Sequence, residues 1–442
     1  MEDKKVTNNS ENEKGGKKLR FGFTTGSCAA AASKAAAFML LSGTVKDKIS
    51  IETPKGITFN AEILEIVRKE NEVSCAVRKY SGDDPDVTDG MLIYSKVSFS
   101  DNEDDNEVID GIHGIEENIK NKDNKENRET ESIGNKSKNG NICNKSGCGI
   151  RIKGGIGIGK VTLPGLDQPV GEYAINHVPR EMIQKEVSEV CRLFDHNENL
   201  TVEISAPEGV ETAEKTFNPR LGIVGGISIL GTSGIVEPMS EKALVETIRV
   251  ELSMNKAIGI SSLVVSPGNY GLSFIKEHYS YDLDKAVKCS NFIGDTVNMA
   301  TDMGFKRFIL IGHIGKLVKL AGGMLNTHSK YGDNRMKVIA EEAEKAGGSE
   351  EVKEEILKCI STDAAIDILK NYSEEYALSH NGESIIKVIM DSICARIEKI
   401  LREVCKDKME IYVVMFSNVH GLLAESAFAE KIISDLTENV ED

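Results

Sequence analysis

Residues 312–323 read GHIGKLVKLAGG and follow directly on the apolar run FILI at 308–311. A histidine that titrates near neutrality, glycines that admit close backbone approach and a lysine thus stand between a strand-like run and an apolar helical one. A phosphate-cradling loop of the G-x-x-x-x-G-K-[ST] kind is excluded, because two residues separate Gly312 from Gly315 and Leu317 stands where a magnesium-binding hydroxyl is required. Two further apolar runs end in SPGNYG (266–271) and SNVHG (417–421). Ligands of open α/β sheets bind outside the carboxyl ends of the strands, so the three loops are expected to share one ligand cleft, with His313 touching the ligand. For any one loop alone, glycine as plain turn chemistry is an equal reading, and Lys316 alone could be a solvated charge.

Other segments carry groups of uncertain use. SGDDPDVTDG (81–90) reads either as a solvated turn or as a set of acceptors, Asp83 and Asp84 among them, for ribose, amino or ring N–H groups or a cation. TTGS at 24–27 offers hydroxyls and main-chain N–H groups to an anion at the start of an alanine-rich helix. His328 and Asp333, in NTHSKYGDNR, lack a partner histidine at helical spacing and suit a capping or turn role as well as a metal. Cys143 and Cys148 have no second ligand pair and read as free thiols.

The elements that position these groups follow from composition and pattern. A chain of 442 residues, 40% hydrophobic and 28% charged, has room for two or three domains. Its net charge of −16 argues against nucleic acid or an anionic membrane surface as partner. Nine scattered cysteines without a C-x-x-C, no signal-like N-terminal apolar core and no bilayer-length apolar run predict a cytoplasmic protein. Residues 101–147 are dominated by Asn, Lys, Glu, Asp, Ser and Gly and read as a disordered insertion, an overgrown hairpin loop between LIYSKVSFS (92–100) and the run from 149.

An α+β domain is predicted over 18–217. It has an alanine-rich helix capped at Thr24, Thr25 or Ser27 and ended at Gly43, strands at KISIETP, GITFNAEILEIVRK and EVSCAVRKY, and a helix from Pro179. Over 218–442 the runs GISIL, SSLVV, RFILI and MEIYVVMF alternate with helical stretches at 241–254, 283–303, 316–325 and 385–404. That alternation predicts an α/β domain with a largely parallel sheet, and a two-domain α/β protein in all.

Several blocks together resemble the CbiD-type cobalt-precorrin-5B C(1)-methyltransferases of the anaerobic cobalamin pathway. They are LRFGFTTGSCAAAASKAA, KYSGDDPDVTDG, GGIGIGKVTLPGL, VGEYAINHVPREMI, NPRLGIVGGISILGTSGIVEPMS, SPGNYG, CSNFIGD and GHIGKLVKLAGGMLNTHSKYGDNR, in the family's order and across both parts. Asp89 stands where a histidine is common and His177 where a proline is common, and the insertion is peculiar to this chain. The resemblance implies methyl transfer from S-adenosylmethionine to C-1 of a cobalt-bound tetrapyrrole, giving cobalt-precorrin-6A. No protein-held metal is implied; cobalt arrives with the substrate.

On this reading the substrate's carboxylates are expected to meet Thr24, Thr25, Ser27, Lys153, Arg180, Arg220, Lys316, Lys319, Lys330 and Arg335. The methyl donor is expected at Pro267, Gly268, Asn269 and Gly271 with Asp83 or Asp84, and His313 is the catalytic candidate, holding a ring edge or taking up a proton. The partner implied is a small tetrapyrrole, with other enzymes of the pathway as further partners. A non-catalytic corrinoid carrier and a small-molecule kinase remain as alternatives.

Overall fold

A computed structural model describes residues 11–14, 17–100, 148–283, 285–379 and 384–438, which fall into two compact units. The first comprises Met1–Thr162 with Asp167–Met239, the second Leu163–Leu166 with Ser240–Asp442.

The first unit is built on a five-stranded sheet in the order Leu64–Arg68, Glu72–Arg78, Leu92–Phe99, Leu200–Ser205, Ile150–Gly154. All neighbours are antiparallel except the last pair. Alternate residues of Leu92–Phe99 and Leu200–Ser205 are buried, so the sheet presents one apolar face. Against it lies the alanine helix Thr25–Ser42, which also packs on the helix His177–Leu193. Ala29–Ala32 and Ala35–Ala37 are fully buried, because small side chains let a helix approach two neighbours closely. Thr24 caps its start, and Gly43, at φ 71°, ends it in the left-handed conformation that glycine adopts freely.

Three expectations for this unit change. The strands flanking residues 101–147 are not a hairpin, because Leu200–Ser205 lies between them and pairs with both. Its alternating burial suits a central position, and the helix His177–Leu193 supplies the long connection that parallel pairing with Ile150–Gly154 needs. The insertion itself lies outside the described residues. The helix expected from Pro179 begins two residues earlier, at His177, where proline is still within the first turn and lacks only an N–H that has no intrahelical partner.

The boundary expected after Phe217 moves to Met239. Gly226–Ile227 pairs with Gly157–Ile158, Ile223–Val224 with Lys160–Val161, and Ile235–Val236 with Gly22–Phe23. GISIL is therefore part of a glycine-rich contact in the first unit, not a strand of the parallel sheet. A Cβ on Gly226 would lie 2.1 Å from the Gly157 carbonyl oxygen, so the glycines mark backbone touching backbone.

In the second unit Val287–Lys288, Ser262–Ser266, Arg307–His313 and Glu410–Ser417 pair in parallel, in that order, and Gly421–Glu425 adds an antiparallel edge. Ser262–Ser266 is buried throughout, as expected of a strand covered on both faces. One face packs Leu263, Val265, Phe308, Leu310, Val413 and Met415 among helices that include Ile293–Asp302 and Ile385–Cys405. The other packs Val264, Ile309, Ile311, Val414 and Phe416 against Phe274 and Ile275 of the helix Asn269–Tyr279 and Ile433 of Ala429–Glu438.

The helix expected over 283–303 divides into the edge strand Val287–Lys288 and the helix Ile293–Asp302, because Cys289 N–H is taken by the Ser266 carbonyl. The one expected over 316–325 spans Ile314–Ala321: His313 caps it early, and Gly322 and Gly323 follow its end. The helix from Glu241 runs on to Ala257, and that from Ile385 to Cys405. Among the described residues no helix is long and apolar enough to cross a membrane.

The acidic turn after Glu72–Arg78 is closed from inside. Lys79, whose side chain is 2% exposed, donates to Asp86 Oδ2 at 2.6 Å and to Ser81 Oγ at 2.5 Å, while Asp86 Oδ1 accepts from Thr88 N–H at 2.8 Å and from its hydroxyl. Burial alone would raise the Asp86 carboxyl, but Lys79 and Thr88 hold it below the ordinary range. Lys79→Met is expected to cost about 3–5 kcal/mol of unfolding free energy in chemical denaturation, because Asp86 keeps its charge without a cation and only Thr88 still donates to it. The added Asp86→Asn change should recover part of that loss. Since Asp86 titrates lower folded than unfolded, its contribution is full above about pH 4 and disappears as pH falls through the folded value. A loss below about 1 kcal/mol would instead class the pair with exposed ion pairs.

Candidate functional site

Parallel pairing puts the ends of Ser262–Ser266, Arg307–His313 and Glu410–Ser417 on one edge of the second unit's sheet. At the middle strand His313 leaves the sheet with φ −68° and ψ 138° and caps the helix Ile314–Ala321, its Nδ1 accepting from Gly315 N–H at 3.0 Å. A Cβ on Gly315 would lie 3.3 Å from that Nδ1, so glycine here gives the ring its room. The ring also meets Phe416 edge-on, centroids 5.7 Å apart, and Tyr270 at 6.2 Å.

Burial lowers the pKa of His313, and Asp363 partly opposes that. With Nδ1 accepting the cap bond, the neutral ring carries its proton on Nε2 and offers a donor. Of the two roles expected of His313, holding a ring or carboxylate edge fits this tautomer. Taking up a proton does not, because Nε2 already carries one and Nδ1 would have to release the helix.

The loop after Ser262–Ser266 is fastened to the same helix. Lys316 Nζ donates to the Pro267 carbonyl at 3.0 Å and the Ser290 carbonyl at 3.4 Å, and Asn269 Oδ1 accepts from Lys288 Nζ at 2.7 Å. A Cβ on Gly268 would meet nothing within 4 Å, so its backbone is approachable from outside. Gly271 is different. A Cβ there would sit 2.0 Å from Ser266 Oγ and 2.8 Å from the Ile311 carbonyl oxygen. Its close approach is to the protein's own strands, which removes it from the methyl-donor candidates.

Beside this loop lies a cleft of about 420 Å³ whose lining includes Lys316, Lys319, Thr327, His328, Asp333 and Arg335. Lys319, 7% exposed, donates to the carbonyls of Thr327 and Gly332, both at 3.3 Å. Among the described residues no carboxylate oxygen lies within 4.0 Å of either lysine nitrogen. Burial lowers the pKa of Lys316, and the positive charges of Lys288 and Lys319 add to that.

Arg335 is closed on Asp333, with Nε at 2.9 Å and Nη2 at 2.5 Å from its two oxygens, and this pushes Asp333 down to about 2. The guanidinium is thus matched, and its expected role as a carboxylate-binding cation weakens. Lys330 is likewise paired with Glu241. Cys289 supplies no thiolate, since burial pushes it up to about 12 against the pull of Lys316. His328 Nδ1 accepts from Lys330 N–H at 3.1 Å, so the capping role read from sequence is present, and the same residue also lines the cleft.

In the first unit the TTGS start is closed to anions. Gly26 N–H donates to the Leu230 carbonyl, Ser27 N–H to Thr24 Oγ1, and Ser27 Oγ to the Gly234 carbonyl, while Thr25 Oγ1 accepts from Leu230 N–H. All three hydroxyls are buried under residues 228–234, which corrects the substrate-binding expectation for Thr24, Thr25 and Ser27. Asp83 is saturated by Arg20, whose main-chain N–H and guanidinium hold it below the ordinary carboxylate range, and Asp84 accepts from Met239 N–H. Both carboxylates tie the turn to distant segments of the same unit, which corrects their assignment to a cofactor. Lys153 pairs with Glu203, Arg180 donates to the Ile175 and Ile152 carbonyls, and Arg220 is exposed. Among the described residues no group of three or more histidine, cysteine or carboxylate side chains is placed to hold a metal.

Sequence comparison covers both units. A profile of the CbiD family matches residues 12–122 and 129–238, and a profile of the CbiD C-terminal domain matches 326–427. The crystal structure of a cobalamin biosynthesis protein (CbiD) from Archaeoglobus fulgidus is 24% identical over 71% of this chain and 84% of its own, with a TM-score of 0.33. A Ruminiclostridium cellulolyticum protein named cobalt-precorrin-5B C(1)-methyltransferase is 41% identical over 94% of this chain and 93% of its own length. Its namesake from Alkaliphilus metalliredigens is 39% identical over 97% and 98%. The motif blocks and these matches agree, and the chain belongs to the CbiD family.

Proposed function

We propose that the protein methylates C-1 of cobalt-precorrin-5B, with S-adenosylmethionine as donor and cobalt-precorrin-6A as product, in anaerobic cobalamin biosynthesis in the cytoplasm. The observation that carries this reading is the near-complete alignment with relatives named for that reaction. The cleft supports it: two ammoniums without a carboxylate partner suit a substrate rich in carboxylates, despite the chain's net charge of −16.

S-adenosylmethionine, when bound, supplies an electrophilic methyl group on a sulfonium that leaves as a neutral thioether. The loop Ser266–Gly271 fits such a molecule, since the backbone at Gly268 is open and Pro267 is anchored by Lys316. Pro267, Gly268 and Asn269 are the residues assigned to hold it. The macrocycle carbon is itself the nucleophile, so this chain's work is positioning: reacting atoms aligned within about 3–3.5 Å in a site from which water is excluded. Lys316 and Lys319 bind substrate carboxylates, and His313 donates from Nε2 to a substrate edge.

Anaerobic incubation with methyl-labelled S-adenosylmethionine and cobalt-precorrin-5B is expected to place label at C-1, located by carbon NMR. Tetrapyrrole binding without label would identify a carrier instead. Lys316→Met is expected to raise KM for the tetrapyrrole about tenfold or more, the effect of removing a charged hydrogen-bonding group. An unchanged KM would take Lys316 out of the site. His313→Asn keeps a side-chain acceptor for the helix cap, but its amide N–H groups stop short of the position of Nε2, and it should lower kcat/KM roughly tenfold with the melting temperature preserved. Because His313 titrates below its ordinary value, the wild-type kcat/KM should stay level through neutral pH and fall only on the acid side of about pH 6.5. A profile that rises on the acid side of about pH 6.5 would overturn the neutral-donor role, whereas a fall at alkaline pH would report loss of the Lys316 proton, which burial makes easier.

A further inference from the structure

Lys316 and Lys319 lie three residues apart on the helix Ile314–Ala321, and each gives two N–H groups to main-chain carbonyls: Pro267 and Ser290 for Lys316, Thr327 and Gly332 for Lys319. An ammonium has three donors, so each keeps one, aimed by the two bonds that hold it. Carbonyl oxygens orient a charge without cancelling it, and the neighbouring carboxylate, Asp333, is taken by Arg335. The cleft therefore holds two positive charges that a ligand must match.

His328 borders the same cleft on the turn Ser329–Tyr331. Its Nδ1 accepts from Lys330 N–H, which assigns the ring proton to Nε2. A neutral ring adds a donor without adding a third positive charge beside the two ammoniums, whereas an imidazolium would give up the Nδ1 acceptor and with it the turn.

We propose that Lys316, Lys319 and His328 form a carboxylate clamp in which His328 is a neutral Nε2–H donor, gripping a peripheral carboxylate of the tetrapyrrole. The identity of the ligand rests on the function proposed above; the clamp's preference for a carboxylate rests on these donors. No covalent step is involved.

The discriminating variant is His328→Asn, whose side-chain oxygen can still accept from Lys330 N–H but whose amide N–H groups stop short of the position of Nε2. The probe is uroporphyrin, a stable tetrapyrrole with carboxylates around its rim, titrated into the full chain by fluorescence, with a cationic porphyrin of similar size as control. Wild type is expected to bind uroporphyrin and not the cationic ring, and His328→Asn to bind it about tenfold more weakly at an unchanged melting temperature. Nitrogen-15 NMR of the histidine rings is expected to show the His328 proton on Nε2. Equal affinity of wild type and His328→Asn, no uroporphyrin binding by wild type, or a proton on Nδ1 would each overturn the clamp.

The methyl-transfer assay on the same proteins separates the two readings. Turnover with an unaltered KM in His328→Asn would remove the clamp and leave the reaction. Uroporphyrin binding that depends on His328, without methyl transfer by wild type, would leave the clamp and remove the reaction.

Discussion

Parallel alignment of three buried strands is the constraint on which the placing of the second unit's loops depends. Ser262–Ser266, Arg307–His313 and Glu410–Ser417 run the same way, so their loops have no choice of edge. The apolar alternation that fixes the register also sets which residue is last in each strand. Leu310 and Ile311 turn to opposite cores, and two positions later His313 emerges where the sheet stops. The interior decides where the histidine stands, and a helix that starts at once behind it decides how the ring is held.

The electrostatics of this edge differ from those of the molecule. Four of the seven cations expected to meet substrate have a carboxylate beside them: Lys153 has Glu203, Arg180 has Glu172, Lys330 has Glu241 and Arg335 has Asp333. Lys316 and Lys319 are held by carbonyl oxygens instead. Carbonyls fix geometry while leaving the charge in place, which is the condition for an anion receptor rather than a structural ion pair. The cost of keeping two such charges partly buried is borne by the helix that carries them, whose Leu317, Val318 and Leu320 are fully buried in the core.

What the sequence made legible follows the range of the interactions. GHIGK could be read because strand, turn and helix there are contiguous, and the failed phosphate-loop spacing is visible in the letters themselves. GISIL could not, because its partner is Gly157–Ile158, about seventy positions away, and a glycine-flanked apolar run looks the same whether it joins a sheet or a backbone contact. The same holds for Leu200–Ser205 entering between two strands that look consecutive. Thr24, Thr25 and Ser27 misled for a related reason: a helix start rich in hydroxyls is an anion site only if nothing else covers it, and residues 228–234 do. Sequence leaves His328 between a cap and a metal ligand, and its place on the cleft is set by the return of NTHSKYGDNR against Lys319, which no local spacing announces.

A histidine cap, at His313 beside the cleft and at His328 on it, suits the anionic ligand proposed above. Aspartate would serve the helix Ile314–Ala321 better as an isolated element, since its negative charge favours a helix N-terminus. Placed beside Lys316, however, it would cancel the charge that the carbonyls leave free and repel an incoming carboxylate. Serine would cap without charge but would end at the backbone it bonds. Histidine separates the two tasks across one ring: Nδ1 satisfies Gly315 N–H or Lys330 N–H, and Nε2 remains as a donor on the far side. That division holds only while the ring is neutral, and burial of His313 keeps it so. On the proposed function, local folding and ligand recognition would draw on the same two atoms of each imidazole, and protonation that would strengthen an electrostatic grip would undo the cap that aims it.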